Sequence, residues 1–153
     1  MKGVSGAGRG TAYRAENAET GAPLLENVAA AFSWAARARG LLGRPPPPPG
    51  AGWWLRPCGA IHTWGMRYPL DIAFLDRDER VVRVVRALSP WRAAGGGPSA
   101  YSALECAAGA LPDAIRPGSR LTFVPLAPHE ANSARNIHQG EAGGGVGRSP
   151  CRR

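Results

Sequence analysis

Short apolar segments recur along the middle of the chain, and each is bounded by turn-forming or charged residues. They are rich in β-branched and aromatic residues, a composition that favours strands over helices. Several short strands at regular spacing, without strand–helix alternation, are typical of a mainly β domain built as a compact sandwich or barrel. The predicted strands are 53–55, 60–62, 70–75, 81–85, 101–106 and 120–124.

One segment near the start has the apolar spacing of a helix instead. Val28, Ala31, Phe32 and Ala35 recur at intervals of three or four residues, which places them on one helical face. The segment is also rich in alanine, the best helix former. Gly40 suits the position just beyond a helix end. The pattern therefore predicts one N-terminal helix over about 28–39.

Glycine and proline concentrate at the two ends and in two internal loops. Segments 1–24 and 126–153 lack apolar periodicity, and we expect a disordered leader and a disordered tail. The folded domain is then 25–125, interrupted by a Pro-rich loop at 45–50 and a Gly-rich loop at 93–99. A length of 153 residues fits one such domain.

The formal net charge of +8 comes almost entirely from arginines, which are scattered rather than clustered. Because no groove-reading or base-stacking pattern accompanies them, we do not expect a nucleic-acid partner. The N-terminus has no apolar signal-peptide core, and no segment is long and apolar enough to span a bilayer. We therefore expect a cytoplasmic monomer without a membrane partner.

The cysteine content argues against a disulfide framework. The three cysteines, Cys58, Cys106 and Cys151, are an odd number at wide spacing. Reduced thiols are the expected state, although a Cys58–Cys106 bridge is open as an alternative.

Reactive and polar side chains crowd into residues 58–76, next to the apolar strand 70–75. A rigid strand beside such a cluster is how a scaffold commonly presents a site. We predict a polar pocket for a small polar ligand or a partner segment, with no metal and no cofactor. The candidate pocket residues are His62, Met66, Arg67, Asp71, Glu105 and, at the edge, Cys58.

The two carboxylates among them lie within apolar strands. Asp71 is flanked by Leu70 and Ile72, and Glu105 lies between Leu104 and Cys106. A carboxylate is costly to bury unless it is paired or hydrogen-bonded. Either residue is therefore a pocket residue or a structural one, and for Asp71 the structural roles are accepting backbone N–H bonds or pairing with an arginine.

Two chemical alternatives use Cys58 and His62. A structural zinc site would need four ligands, for which Cys106 and either Asp71 or Glu105 are available. A thiol nucleophile with His62 as its base is the other arrangement. Neither is specific, since the surrounding glycine and proline argue against the helix that would place Cys58 and His62 on one face.

The order of several sequence blocks resembles the DUF192 family, also called UPF0127, whose members have no assigned biochemical activity. The matching blocks are Arg37 to Arg44 (Arg-Ala-Arg-Gly-Leu-Leu-Gly-Arg), Pro69 to Asp76 (Pro-Leu-Asp-Ile-Ala-Phe-Leu-Asp), Leu104-Glu105 followed by Gly109, and the Pro117-Gly118 turn. The resemblance implies a mainly β fold in small bacterial and archaeal proteins. Where the family commonly has Trp-Met-Lys-Asn-Thr and two further residues before Pro-Leu-Asp, this chain has Ile61-His62-Thr63-Trp64-Gly65-Met66-Arg67-Tyr68, as in a variant branch.

These observations lead to two function hypotheses. The first is a non-catalytic binding module with a polar pocket. The second is a metal-dependent or thiol-based, hydrolase-like enzyme using Cys58, His62 and a carboxylate. An adaptor that docks through the Pro-rich loop is a third reading.

Overall fold

A computed structural model describes residues 11–127 and residue 130. The fold is mainly β, as predicted, with a seven-stranded sheet, a two-stranded sheet and one short helix. In chain order the elements are β1 (Ala12–Asn17), β2 (Pro23–Ala31), α1 (Trp34–Arg39), β3 (Ala51–Leu55), β4 (Ala60–His62), β5 (Leu70–Leu75), β6 (Val81–Leu88), β7 (Ala93–Gly95), β8 (Ser102–Ala107) and β9 (Leu121–Pro125).

The large sheet has the strand order β6-β5-β8-β3-β2-β1-β9. Its strands pair antiparallel except for β2 and β3, which run parallel. The two edges meet at one point, where Arg80 and Arg120 form an isolated bridge just before β6 and β9. The sheet is therefore strongly curled, but it is not a closed barrel.

Side chains from the sheet form two apolar cores. One core, here called the Leu104 face, includes Trp54, Ala73, Leu104 and Cys106. The other, the Ile72 face, includes Leu55, Ile72, Phe74 and Ala103. The small β4–β7 sheet covers the Ile72 face, into which its Ile61 is buried.

We expected the whole segment 1–24 to be disordered, but part of it is ordered. Strand β1 and the first residues of β2 lie within it. The sequence of β1 has little apolar content, so its order depends on pairing with β2 on one side and β9 on the other. The remaining part of the predicted leader, residues 1–10, lies outside the described residues. So does nearly all of the predicted tail.

The predicted helix over 28–39 is correct only for its last part. Residues Pro23–Ala31 form β2, and α1 begins at Trp34 with Ser33 as its N-cap and ends at the C-cap Gly40. The error arises because the buried residues of β2, Leu25, Val28 and Ala31, recur every three positions. That spacing also fits one face of a helix. Between the pairs Tyr13–Val28 and Ala15–Leu25, one residue of β1 opposes two of β2, and this bulge breaks the two-residue alternation between Leu25 and Val28.

The other strands predicted from the sequence are present, with ends that differ by a few residues. β5 is buried along its entire length, whereas Arg83 of the edge strand β6 is exposed. The expected Gly-rich loop 93–99 begins as the strand β7, which pairs with β4. Gly96 follows β7 and lies so close to Phe74 that a Cβ at this position would be 2.5 Å from the Phe74 Cβ.

Within the described residues, no helix has the length and apolar character needed to cross a membrane.

Candidate functional site

The register between β5 and β8 separates the two buried carboxylates. Asp71 pairs with Cys106, and Ile72 pairs with Glu105. Since neighbouring residues of a strand point to opposite faces, Asp71 lies on the Leu104 face and Glu105 on the Ile72 face. The two side chains therefore do not share a pocket.

Both carboxylate oxygens of Asp71 have partners within the fold. Its Oδ1 accepts a hydrogen bond from the Ala87 N–H at 2.8 Å, and its Oδ2 accepts one from the Gly109 N–H at 2.9 Å. The Arg86 guanidinium is 3.2 Å from Oδ2. Asp71 thus connects β5 to the end of β6 and to the turn after β8. The Arg67–Pro69 turn, which precedes β5, is not among these contacts.

Glu105, unlike Asp71, is buried with an oxygen that has no partner. The residue is only 4% exposed, yet its Oε2 has no hydrogen-bond partner. Burial raises the pKa of this carboxyl to about 8, because desolvation disfavours the charged form. At neutral pH Glu105 is therefore mostly a neutral carboxylic acid, which can both donate and accept a hydrogen bond.

Glu105 lines a small cavity of about 120 Å³. The backbone of Gly40 covers one side of it, where a Cβ would be 3.5 Å from Oε2. Other walls come from α1, the segment after it, β4 and the 64–66 turn. The lining side chains that bear on the chemistry are Arg37, Arg39, Leu42, Cys58, His62, Trp64, Met66 and Glu105.

Cys58 and His62 both line the cavity but do not act on each other. The Cys58 thiol donates to the Ala60 carbonyl oxygen at 3.2 Å. Burial, and then the nearby Glu105 charge, raise the pKa of this thiol above its usual value. His62 is exposed and stacks on Trp64, with ring centroids 4.7 Å apart. This arrangement lacks the base-activated thiolate that a cysteine nucleophile requires.

The remaining two candidate residues, Met66 and Arg67, are adjacent in sequence but differ in their surroundings. Met66 is buried and lines the cavity. Arg67 is exposed and lines an adjoining groove of about 470 Å³ together with Arg44 and Tyr68. The cavity and the groove share Leu41, Leu42 and Met66 in their walls. They are thus neighbouring compartments of one surface region.

The four-ligand zinc set considered from the sequence does not assemble. Cys106 and Asp71 lie on the Leu104 face, whereas Cys58 and Glu105 lie on the Ile72 face. Across residues 11–127 and 130, no three His, Cys, Asp or Glu side chains come together as metal ligands. Cys58 and Cys106 are both free thiols. Their positions on opposite faces explain why no bridge forms between them.

Sequence reasoning missed the contribution of α1 and of the segment that follows it. Arg37, Arg39, Gly40 and Leu42 all line the cavity. They belong to the Arg37–Arg44 block that carries the family resemblance, which was the available signal. The long chain separation between this block and Glu105 concealed their proximity.

Comparison with known proteins supports the fold and the family. No curated protein matches the sequence. A protein of unknown function from Novosphingobium aromaticivorans DSM 12444 is similar in structure, with a TM-score of 0.60, 21% identity, and coverage of 72% of this chain and 83% of that chain. A protein from Sinorhizobium meliloti 1021, described as a "putative transcription regulator", has a TM-score of 0.63 at 21% identity, covering 74% of this chain and 92% of that one.

At this level of identity, the two likenesses concern the fold alone. The family comparison goes further, because one match spans most of the chain, residues 15–123, and includes β5, β8 and Glu105. The matched family is described as "Uncharacterized ACR, COG1430". This chain belongs to that family, DUF192.

Proposed function

We propose that this protein is a non-catalytic binding module whose site is the Glu105 cavity. One observation carries the proposal: the Glu105 side chain lines the cavity, and its buried Oε2 has no hydrogen-bond partner. A buried polar atom without a partner costs on the order of 1–3 kcal/mol. A ligand that supplies the missing hydrogen bond would recover this free energy on binding.

The cavity volume limits what can bind. Pockets for drug-sized molecules have volumes of about 300–1,000 Å³, whereas this cavity is about 120 Å³. The space suits a small polar molecule, or one polar group of a larger ligand such as a side chain of a partner segment. Leu42 and Met66 would contact the apolar part of that group.

The thiol-enzyme hypothesis receives no comparable support. A catalytic cysteine needs a lowered pKa, and the environment of Cys58 raises it. His62, the intended base, stacks on Trp64. We therefore place Cys58 in the wall of a binding site.

A fragment screen by NMR tests this proposal. The ¹⁵N-labelled protein is titrated with a library of small polar compounds, and shifts are mapped onto the cavity residues. We expect binders that perturb Gly40, Cys58 and Glu105. In Glu105→Met these shifts should be lost, because the polar group is removed with little change in volume.

Glu79→Met is the matched control, since Glu79 is also a partly buried glutamate with an unpartnered Oε2 but does not line the cavity. Binding should persist in this variant. If no compound perturbs the cavity residues, or if Glu105→Met binds as well as the unaltered protein, the proposal is wrong.

A further inference from the structure

We propose that the group recognised in the Glu105 cavity is a carboxylate, supplied by a small carboxylic acid or by an acidic side chain of a peptide. The inference rests on the proposed function and adds the chemical class of the ligand. It follows from the charges around the cavity, from the hydrogen-bonding capacity of Glu105 and from the adjoining groove.

The charged side chains around the cavity are mainly cationic. Arg37 and Arg39 line it, and Glu105 is the one acidic residue among its lining residues. Among the described residues, neither arginine forms an ion pair with a carboxylate. Arg37 is held in place because its Nη1 donates to the Phe32 and Arg56 carbonyl oxygens. An anion entering the cavity would meet positive charge that no carboxylate within the described part of the chain neutralises.

Glu105 itself fits an anionic partner. A neutral carboxylic acid donates its proton in a short, charge-assisted hydrogen bond to a carboxylate oxygen. Burial also raises the pKa values of Cys58 in the cavity wall and Tyr68 in the adjoining groove, so both stay uncharged at neutral pH. A cationic ligand, by contrast, would need an ionised Glu105 and would approach between two arginines.

The adjoining groove provides room for the rest of such a ligand. It is about 470 Å³ in volume, shares the Leu41, Leu42 and Met66 walls, and adds Arg44 and Arg67. Arg44 stacks over Trp53 with its guanidinium carbon 4.5 Å from the ring centroid, which fixes its position. No acidic side chain lines this groove among the residues the structure describes. A ligand longer than its carboxylate would therefore extend into a second cationic compartment.

Three probes of nearly equal shape test the inference: propionate, propionamide and propylammonium. Each is titrated into the ¹⁵N-labelled protein at several pH values from about 6 to 10. We expect propionate to bind more tightly than the other two. Its affinity should fall roughly tenfold per pH unit above about pH 8, because binding requires the protonated Glu105.

Glu105→Gln provides the matched variant. Its amide N–H₂ still donates a hydrogen bond but does not titrate, so propionate binding should persist and lose its decline at high pH. Arg39→Gln should weaken propionate binding several-fold, whereas Arg116→Gln, outside the cavity, should not.

The source of the carboxylate is distinguished by capped Gly-Glu-Gly and Gly-Gln-Gly peptides. Tighter binding of the acidic peptide than of propionate, with shifts that extend to Arg44 and Arg67, indicates a peptide partner. Propionate binding without peptide binding indicates a small acid.

Preferential binding of propylammonium, or failure of both propionate and the acidic peptide to bind, overturns the carboxylate inference. The proposed function would survive this result if other fragments bind the cavity in a Glu105-dependent way. It would fail as well if the fragment screen finds none.

Discussion

On the neighbouring strands β5 and β8, Glu105 pairs with Ile72, the residue after Asp71. Asp71 and Glu105 therefore point to opposite faces of the sheet. Asp71 accepts two backbone N–H bonds and pairs with Arg86, whereas the Glu105 Oε2 has no partner. Two carboxylates with similar apolar flanks thus have different roles. The fold satisfies Asp71 itself, and we propose that Glu105 is the carboxyl that meets a ligand.

We predict that Asp71→Asn destabilises the protein. The amide replaces one oxygen with a donor, which would face the donors Ala87 N–H, Gly109 N–H or Arg86. Leaving such buried groups unpaired costs on the order of 1–3 kcal/mol. Urea unfolding followed by circular dichroism measures the loss.

Asp113→Asn is the control for Asp71, because Asp113 pairs with the same Arg86 but is fully exposed. An exposed ion pair contributes less than about 1 kcal/mol, so the stability should change little. Equal effects of the two substitutions would show that Asp71 is not the structural residue described above.

The stability of the protein should depend on the ionisation of Glu105. Its folded pKa, about 8, lies above the ordinary value of 4.5, so the folded state holds this proton more tightly than the unfolded state. The stabilisation that comes from protonated Glu105 is fully present below about pH 4.5. It declines as the pH rises to about 8, and stability then no longer changes through this group. Glu105→Gln should remove this decline, making the variant more stable than the unaltered protein near pH 9.

The comparison is made as the difference between the urea unfolding free energies of the two proteins at each pH. Since other titrating groups are shared, they cancel to first order. A difference that does not change between about pH 5 and pH 9 would show that Glu105 titrates normally in the folded state.

Gly96→Ala should strain the contact between the Gly-rich loop and the Ile72 face. The new Cβ would lie 2.5 Å from the Cβ atoms of Phe74 and Ala100, so one of these elements must move. Overpacking of this kind costs about 1–3 kcal/mol. Thermal unfolding measures the effect.

Gly95→Ala is the neighbouring control. Its Cβ would be 3.8 Å from the nearest atom, an ordinary contact distance. The melting temperature should remain close to that of the unaltered protein. If the two alanine variants have the same melting temperature, Gly96 does not pack against Phe74 as described.

Cys58 should be a slow nucleophile. In a Cys151→Ser background, iodoacetamide should modify Cys58 several-fold more slowly than glutathione near neutral pH, because burial and Glu105 raise the pKa of the thiol. Cys106, fully buried with its pKa raised to about 12, should not react in the folded protein. Mass spectrometry of digested samples gives both rates. Faster alkylation of Cys58 than of glutathione would revive the thiol-enzyme hypothesis.

Much of the fold was predictable because local patterns agree with it. The buried strand β5 and the turn before β6 follow from an apolar run and a charged segment. The errors arise where tertiary pairing decides. β1 is ordered by the strands on both sides, and the buried residues of β2 recur at a spacing that also fits a helix. Local pattern alone does not distinguish the two structures for such a segment.

The site was predictable in its residue types but not in its arrangement. The sequence identified Glu105, Met66, Cys58 and His62, which do line one cavity. It also placed Asp71 there, because the direction of a side chain depends on strand register, and a shift of one residue reverses the face. The sequence also could not predict which chain segment covers Glu105, because the contact with Gly40 joins distant parts of the sequence.

A site-specific titration of the Glu105 side-chain carboxyl by ¹³C NMR tests the central claim most directly, with Glu105→Gln used to assign the signal. We predict a midpoint near pH 8, as required for a buried acid without a partner in the free protein. A midpoint near the ordinary value of 4.5 would contradict the account. It would mean that the carboxylate is already ionised and stabilised within the fold, and that the cavity offers no unsatisfied acid to a ligand.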